Sequence, residues 1–376
     1  MRCASQLELF NGCFLFFGDV RYDSRLLNLL RSLSQKYERL VLLQISEQPE
    51  TFVFEHCEVR SQALNPRLRG ALKFLRFYCT MLPAVRRIKA KFYCAEDVFS
   101  LPLAYWVAQQ QCAPLYYDSR ELFFALAQLS HKPLRQRIWA AIEAHCIRKA
   151  KVFTSGFRDS EALRQRYHIA LPETIFNYPR YCAYSPNSSL RQQLGLPDEA
   201  IILLYQGVIT DGRGIWKMLD MLAWLDSRFV AVFIGAGDKL GDLQQAIAAR
   251  HYHRRAFAIG RVPYQELLPL TASADIGVAL IEPLSESYQL ALPNKLFEYV
   301  MAGVPVLTTD LPAMKEIVEQ HKVGLAVPAT ADEKSLAEAV ITLQSKIEHY
   351  RHNCQQARKV LNWEAQEARL LDFFSP

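Results

Sequence analysis

The sequence predicts an α/β protein of two doubly wound, Rossmann-like domains facing a cleft, and three observations carry that prediction. Its 376 residues divide by the usual domain size into roughly 2.5 units, enough for two sizeable domains. Short apolar runs alternate with helix-length amphipathic stretches, which is the rhythm of βαβ units and a parallel sheet. That rhythm pauses in the polar, proline-bearing stretch Asn177 to Ser189 and then starts afresh. With 51% hydrophobic and 22% charged residues the chain is too apolar for intrinsic disorder, and 15 Gly and 18 Pro are too few for a low-complexity or collagen-like protein.

In chain order, "GCFLFFGD" (Gly12 to Asp19) reads as a buried first strand, followed by an amphipathic helix from Arg25 to Tyr37. "RLVLLQI" (Arg39 to Ile45), "KFYCAED" (Lys91 to Asp97) and "APLYYDS" (Ala113 to Ser119) are the next strands. Helical periodicity from Pro133 to Lys149 feeds into the strand "KVFTSG". After the linker come strands at Ala200 to Gly207, Phe229 to Gly237, Ala256 to Gly260, Asp275 to Ile281, Val304 to Thr309 and Gly324 to Pro328. Helices start near Trp216, Leu240, Tyr264, Asn294 and Pro312, and a closing helix spans about Glu348 to Phe374. The expected domains are residues 1–180, 190–350, and a segment 351–376 that packs back on the first domain.

Glu8 and Asn11 interrupt the apolar start, so a secretory leader is not expected, and no window of 18 uncharged apolar residues suggests a spanning helix. Nine Cys are an odd number with no C-x-x-C pair, which argues against a disulfide framework and a structural zinc site and for a reducing, cytoplasmic setting. The net charge of +6 is unevenly spread. Arg60, Arg67, Arg69, Lys73, Arg76, Arg86, Arg87, Lys89 and Lys91 are nine basic residues in a stretch with no acidic one, interleaved with Leu72, Phe74, Leu75 and Phe77. Such a pattern suits an anionic membrane surface, here the inner face of the cytoplasmic membrane; the plainer reading is a solvated helix face. No recognition module supports nucleic acid as a partner.

Doubly wound sheets bind ligands at the C-terminal ends of their strands. "IGAGDKLG" has the spacing G-x-G-x-x-x-G and lies mid-chain, a poor match to a dinucleotide fingerprint. The informative segment is Ala291 to Val318. Pro293 and Asn294 start a helix and Gly303 stops it, placing unsatisfied N–H groups at the mouth of the sheet. Lys295 in the first turn opposes the helix dipole, an arrangement that makes sense beside a bound anion such as a diphosphate. Glu298 lies near the same face and suits the two hydroxyls of a ribose; the structural alternatives are a solvated lysine and a capping acid. "YQGVITDGRGIWKML" adds Gly207 at a strand end and Arg213 between Gly212 and Gly214, either a phosphate-binding loop or a tight turn with an exposed arginine.

Together "YDSRELF", "VFTSGFRDSEALRQRYHI", "FNYPR", "YQGVITDGRG", "FIGAG", "ASADIGVALIEP", "PNKLFEYVMAGVPVL" and "LNWEAQEARLL" resemble, in that order and over nearly the whole chain, the retaining GT-B glycosyltransferases of family 4 (glycosyl transferases group 1). The resemblance implies transfer of a hexosyl group from a nucleotide diphosphate sugar, of UDP or GDP type, to an acceptor hydroxyl with retention and without a metal cofactor. The basic-apolar segment Arg60 to Lys91 suggests a glycan or lipid-linked, membrane-proximal acceptor, as in surface polysaccharide or glycoconjugate assembly. Glu298 matches the second glutamate of the family's E-x7-E motif, the ribose ligand. Arg213 matches the basic residue of the phosphate loop, with Lys295 as the second cation. Gly18, Gly207, Arg261, Val262 and Asn294 match donor-side positions. Asp118, Arg120 and Glu121 are acceptor-side candidates, with structural roles as the alternative. Three places depart from the pattern: Leu290 replaces the first glutamate, the usual partner cation of the phosphate loop falls near Val208 or Ile209 and leaves Lys295 as its substitute, and Arg120 stands where many relatives have His. A nucleotide-sugar 2-epimerase of the same fold and a degenerate binding protein remain as rival readings.

Overall fold

The computed structural model describes residues 7–65, 68, 70–125 and 133–375. It divides into two units, one of Met1–Phe176 with Gln366–Pro376 and one of Asn177–Ala365.

The first unit is built on an eight-stranded sheet. Its strands are β1 (Glu8–Phe16), β2 (Leu40–Ser46), β3 (Glu50–Phe54), β4 (Cys57–Ala63), β5 (Ile88–Ala95), β6 (Leu115–Ser119), β7 (Ala150–Thr154) and β8 (Glu173–Thr174). They lie in the order β3-β4-β2-β1-β5-β6-β7-β8. All seven residues of β2 are buried, as expected of a parallel strand covered on both faces. The edge strand β3 instead alternates between half-buried and exposed residues, and it pairs antiparallel with β4. The helix Ser24–Ser34 begins at Asp23, whose carboxylate accepts the Leu26 N–H. In the helix Ala71–Val85 the buried residues Phe77, Met81 and Val85 recur every fourth position, one helical stripe turned to the core. The sheet changes winding direction between β1 and β5, so the segments leaving these strands mark its topological switch point.

The second unit has six strands, all parallel: β9 (Ile201–Gln206), β10 (Phe229–Ile234), β11 (Ala256–Ile259), β12 (Ile276–Ala279), β13 (Val306–Thr309) and β14 (Gly324–Val327). Their order is β11-β10-β9-β12-β13-β14, with the switch point between β9 and β12. Tyr205, Phe233, Ile215, Met218, Leu222 and Val340 belong to one buried cluster between the sheet and its helices.

Three expectations need correction. The first strand begins at Glu8, four residues before the predicted start. Residues 50–63 form a hairpin that the sequence reading omits; its two-residue turn, Glu55 and His56, contains no Gly or Asn, and Glu55 itself adopts φ +52°. The single closing helix is two, Ile347–Ala357 and Glu364–Phe373. The break lies at Asn362, whose side-chain oxygen accepts the Ala365 N–H, while the Trp363 N–H donates to the Pro179 carbonyl. The unit boundary accordingly falls at Ala365/Gln366 rather than at 351. Within the first unit, Phe374 stacks on Tyr116 with ring centroids 4.3 Å apart.

Candidate functional site

The β9/β12 switch point of the second unit gathers three of the sequence-predicted residues. β9 ends at Gln206 and passes into the loop Gly207–Gly214. The helix Asn294–Ala302 begins at Pro293, which supplies no side-chain cap, and closes at Gly303 with φ +76°. Its first turn therefore offers main-chain N–H groups and the positive end of the helix dipole.

Lys295 is buried in that turn, and its Nζ has no hydrogen-bond partner among the described residues. The ammonium rests 3.5 Å from the centroid of the Tyr205 ring. Burial, with the nearby Arg213 charge adding to it, pushes the Lys295 pKa well below the usual lysine range, against the opposing pull of Glu298. Arg213 is half-buried, its Nε has no hydrogen-bond partner among the described residues, and its guanidinium lies 4.8 Å from the centroid of the Tyr288 ring. The flanking glycines are required: Gly212 and Gly214 adopt φ +76° and +75°, and a Cβ on Gly214 would lie 2.2 Å from the Leu280 carbonyl oxygen. A further tie, the Glu282 N–H to the Gly212 carbonyl at 3.0 Å, fastens this loop to the segment leaving β12. Gly207 (φ +124°) completes the turn next to the Lys295 stem.

Glu298 is also buried, and its Oε2 accepts the side-chain amide of Gln206 at 2.5 Å. Burial raises its pKa, while the Gln206 hydrogen bond and then Lys295 act in the opposite direction. A lysine and an arginine to which, among the described residues, no carboxylate is paired, a helix N-terminus and a carboxylate one turn further on thus share one end of the sheet. The cations suit an anion carrying more than one charge, and the carboxylate suits a neighbouring hydroxyl pair. Among the described residues no group of three or more His, Cys, Asp or Glu could hold a metal ion.

The remaining donor-side candidates contribute less. Asn294 and Arg261 are exposed and Val262 is half-buried. Gly18 lies in the first unit, in the segment after β1, where its carbonyl accepts the Ile45 N–H. Of the residues that sequence reading missed, Gln206 carried the plainest signal, a polar residue ending the apolar run "IILLYQ". Tyr205 and Tyr288, which cradle the two cations, carried none.

The acceptor-side candidates turn out differently. Asp118 has no exposed surface, and both its oxygens are taken, Oδ2 by Arg25 Nε at 2.7 Å and Oδ1 by Arg25 Nη2 at 2.9 Å. Arg120 joins the same group, pairing with Asp118 at 2.9 Å, with Glu96 at 2.5 Å and with Asp23. Asp118 therefore holds arginines and is not available to a solute, and Arg120 has a carboxylate on each of three sides. Glu121, by contrast, is exposed.

The basic stretch is divided as well. Arg60 is tied to Glu8 and Glu58, and Arg67 and Arg69 lie outside the described residues. Arg76, Arg86, Arg87, Lys89 and Lys91 are exposed, as are Leu72 and Leu75. Among the described residues no helix is long and apolar enough to cross a membrane. The eight described cysteines are all unpaired thiols.

Comparison with known proteins gives a consistent result. The family model described as "Glycosyl transferases group 1" matches residues 187–360. A stretch of 151 residues is 26% identical to a protein of Bacillus subtilis (strain 168) described as "Putative teichuronic acid biosynthesis glycosyltransferase TuaC", covering 40% of this chain and 35% of that one. The chain thus spans about a third of that relative's length. The O-antigen biosynthesis glycosyltransferase WclY of Escherichia coli is 21% identical over 315 residues, 78% of each chain. Among solved structures, HepE of Anabaena in complex with UDP and glucose superposes with a TM-score of 0.74 at 17% identity, over 96% of this chain and 98% of that one. This last likeness is one of fold.

Proposed function

We propose that this chain, of GT-B fold and with residues 187–360 matching the glycosyl transferases group 1 model, is a retaining hexosyltransferase that takes its sugar from a nucleotide diphosphate sugar. The observation that carries this reading is the buried, unpartnered Lys295 ammonium at an uncapped helix start, within electrostatic reach of Arg213. A buried cation without an acceptor is costly, and a diphosphate would supply the missing acceptor and restore the full lysine charge. Arg213, Lys295 and the helix N-terminus would then stabilise the negative charge that grows on the leaving diphosphate. Glu298 would hold the ribose. In a retaining transfer of this kind the acceptor hydroxyl attacks the face that the diphosphate leaves, and a donor phosphate oxygen takes its proton. The charge stabilisation is assigned here to the two side chains, without a resident metal.

UDP is the first nucleotide to test, since HepE binds it. The relatives are described as glycosyltransferases of teichuronic acid and O-antigen biosynthesis, which favours a glycan or lipid-linked acceptor in surface polysaccharide assembly. A cytoplasmic enzyme held at an anionic membrane surface would reach such an acceptor. Support for that contact comes from Leu72 and Leu75, exposed on the helix Ala71–Val85 in the same stretch as Arg76, Arg86 and Arg87. Flotation with anionic liposomes should carry the protein upward, and charge reversal at Arg86 and Arg87 should abolish this; no flotation at low salt would remove the membrane from the proposal.

A thermal-shift panel of UDP, GDP, ADP, dTDP and NAD on wild type and Glu298→Ala tests the donor reading. One nucleoside diphosphate should stabilise the wild type, by about 2.7 kcal/mol at 100 times its dissociation constant, and fail on the variant. No shift with any of the five would overturn the donor reading.

A further inference from the structure

The hydrogen bonds behind Glu298 are not explained by packing alone. Gln206 is 1% exposed and Thr271 is fully buried, and burying an amide or a hydroxyl is unfavourable unless each finds a partner. Both do. Gln206 Nε2 donates to Glu298 Oε2 at 2.5 Å, and Gln206 Oε1 accepts from the Thr271 hydroxyl at 2.8 Å. That hydroxyl also lies 2.8 Å from the Leu267 carbonyl, so its one hydrogen is shared. The amide orientation is set by Glu298, because the reverse flip would face a carbonyl oxygen with a carboxylate. Main-chain contacts fix Gln206 too: its N–H donates to the Tyr299 hydroxyl at 3.2 Å, and that hydroxyl donates to the Leu204 carbonyl at 2.9 Å. Glu298 and Tyr299 are neighbours on the helix Asn294–Ala302, so one helical turn grips the end of β9 twice.

We propose that Gln206, backed by Thr271, is a positioning residue that holds the Glu298 carboxylate aimed at a vicinal diol and thereby makes this site prefer ribonucleoside over 2′-deoxyribonucleoside diphosphates. The proposal rests on the reading of Glu298 as the ribose ligand. A carboxylate accepts both hydroxyls of a diol only while ionised and held in one orientation. Burial works against the ionised form, and the Gln206 amide is the largest influence opposing it, ahead of Lys295. With one side of Oε2 fixed by the amide, Oε1 and the other side of Oε2 are left for the two hydroxyls.

The test is calorimetric titration of UDP, GDP and their 2′-deoxy forms into wild type, Glu298→Ala, Gln206→Leu and Thr271→Val at pH 6 to 9. Wild type should prefer the ribose form about tenfold or more, the scale of a hydrogen bond to a charged group. Gln206→Leu should lose most of that preference at pH 7 and recover part of it as rising pH ionises Glu298, while Thr271→Val should move the same way by less. A folded Gln206→Leu protein with the wild-type preference and pH profile would overturn the proposal. If that variant does not fold, an unchanged preference in Thr271→Val overturns it instead. Glu298→Ala separates the two readings: if it keeps the wild-type preference, the ribose assignment itself is wrong, whatever Gln206 does.

Discussion

The two units carry charge at the same place in their folds, around the switch point of a parallel sheet, and use it in opposite ways. In the first unit Arg25 and Arg120 are surrounded by Asp23, Glu96 and Asp118, with both Asp118 oxygens bound. In the second unit Lys295 and Arg213 have aromatic rings beneath them and, among the described residues, no carboxylate paired with either. Buried ion pairs cost desolvation on both partners, so their geometry has to be satisfied within the protein. Buried cations without partners cost more, and are explained when a ligand completes them. Pairing, rather than the presence of charge, separates a charge cluster that is closed within the protein from one that is left open.

The sharpest way to break this contrast is to remove one arginine from the closed cluster. Arg25→Ala would leave the fully buried Asp118 with Arg120 as its remaining cation among the described residues and its Oδ1 without a donor, and would also leave the Ile175 carbonyl without its 2.5 Å donor. The expected loss is about 3–5 kcal/mol of stability, read as a lower urea midpoint for the first unit. A loss below about 1 kcal/mol would mean that the cluster is not structural.

The open cluster should respond the other way. In Lys295→Met a flexible apolar chain of similar length keeps contact with the Tyr205 ring. On the proposed role of both side chains in balancing the leaving group's charge, turnover should fall by about 10²–10³, and Arg213→Ala should lose a similar factor. Stability of Lys295→Met should hold or rise by about 1 kcal/mol at neutral pH. A lysine whose pKa is depressed by folding contributes stability at high pH that is lost as pH falls below its unfolded value, so at pH 7 its charge is a burden on the fold. A variant that lost stability and kept its turnover would reverse the assignment of the two clusters.

This contrast also marks the limit of what the sequence makes legible. The strands of both units, the glycine-flanked arginine and the lysine at a helix start are local signals, each readable within about ten residues. Arg213, Lys295 and Glu298 stand out in the sequence that way. The closed cluster could not be, since Asp118 meets Arg25 across 93 positions and Arg120 meets Asp23 across 97. Without those partners, Asp118 near the end of a strand and Arg120 just past it look like acceptor-side groups. The hairpin of β3 and β4 escaped for a local reason, because Glu55 takes the positive φ that glycine or asparagine would have advertised. Gln206 was visible as a residue but not as a function, which depends on Thr271 and Glu298, 65 and 92 positions away.

The smallest expected effect probes the closed cluster from within. Glu96 is fully buried between Arg120, Asp118 and the Cys94 thiol, whose Sγ lies 3.2 Å from Oε1. Burial raises its pKa to about 7, Arg120 opposing this and Asp118 adding to it. For an acid raised from 4.5 to about 7 on folding, the folded state holds a proton that the unfolded chain has released over that interval. Its contribution to stability is complete below about pH 4.5 and is lost as pH rises to 7, after which it is flat. Glu96→Gln removes that titration while keeping the shape. Wild type should therefore lose roughly 1–3 kcal/mol more than the variant between pH 5 and pH 8, measured by urea unfolding at each pH. Parallel curves would show that Arg120 keeps Glu96 ionised throughout; the cluster would then be fully paired at pH 5 as well, and the contrast with Lys295 would be sharper still.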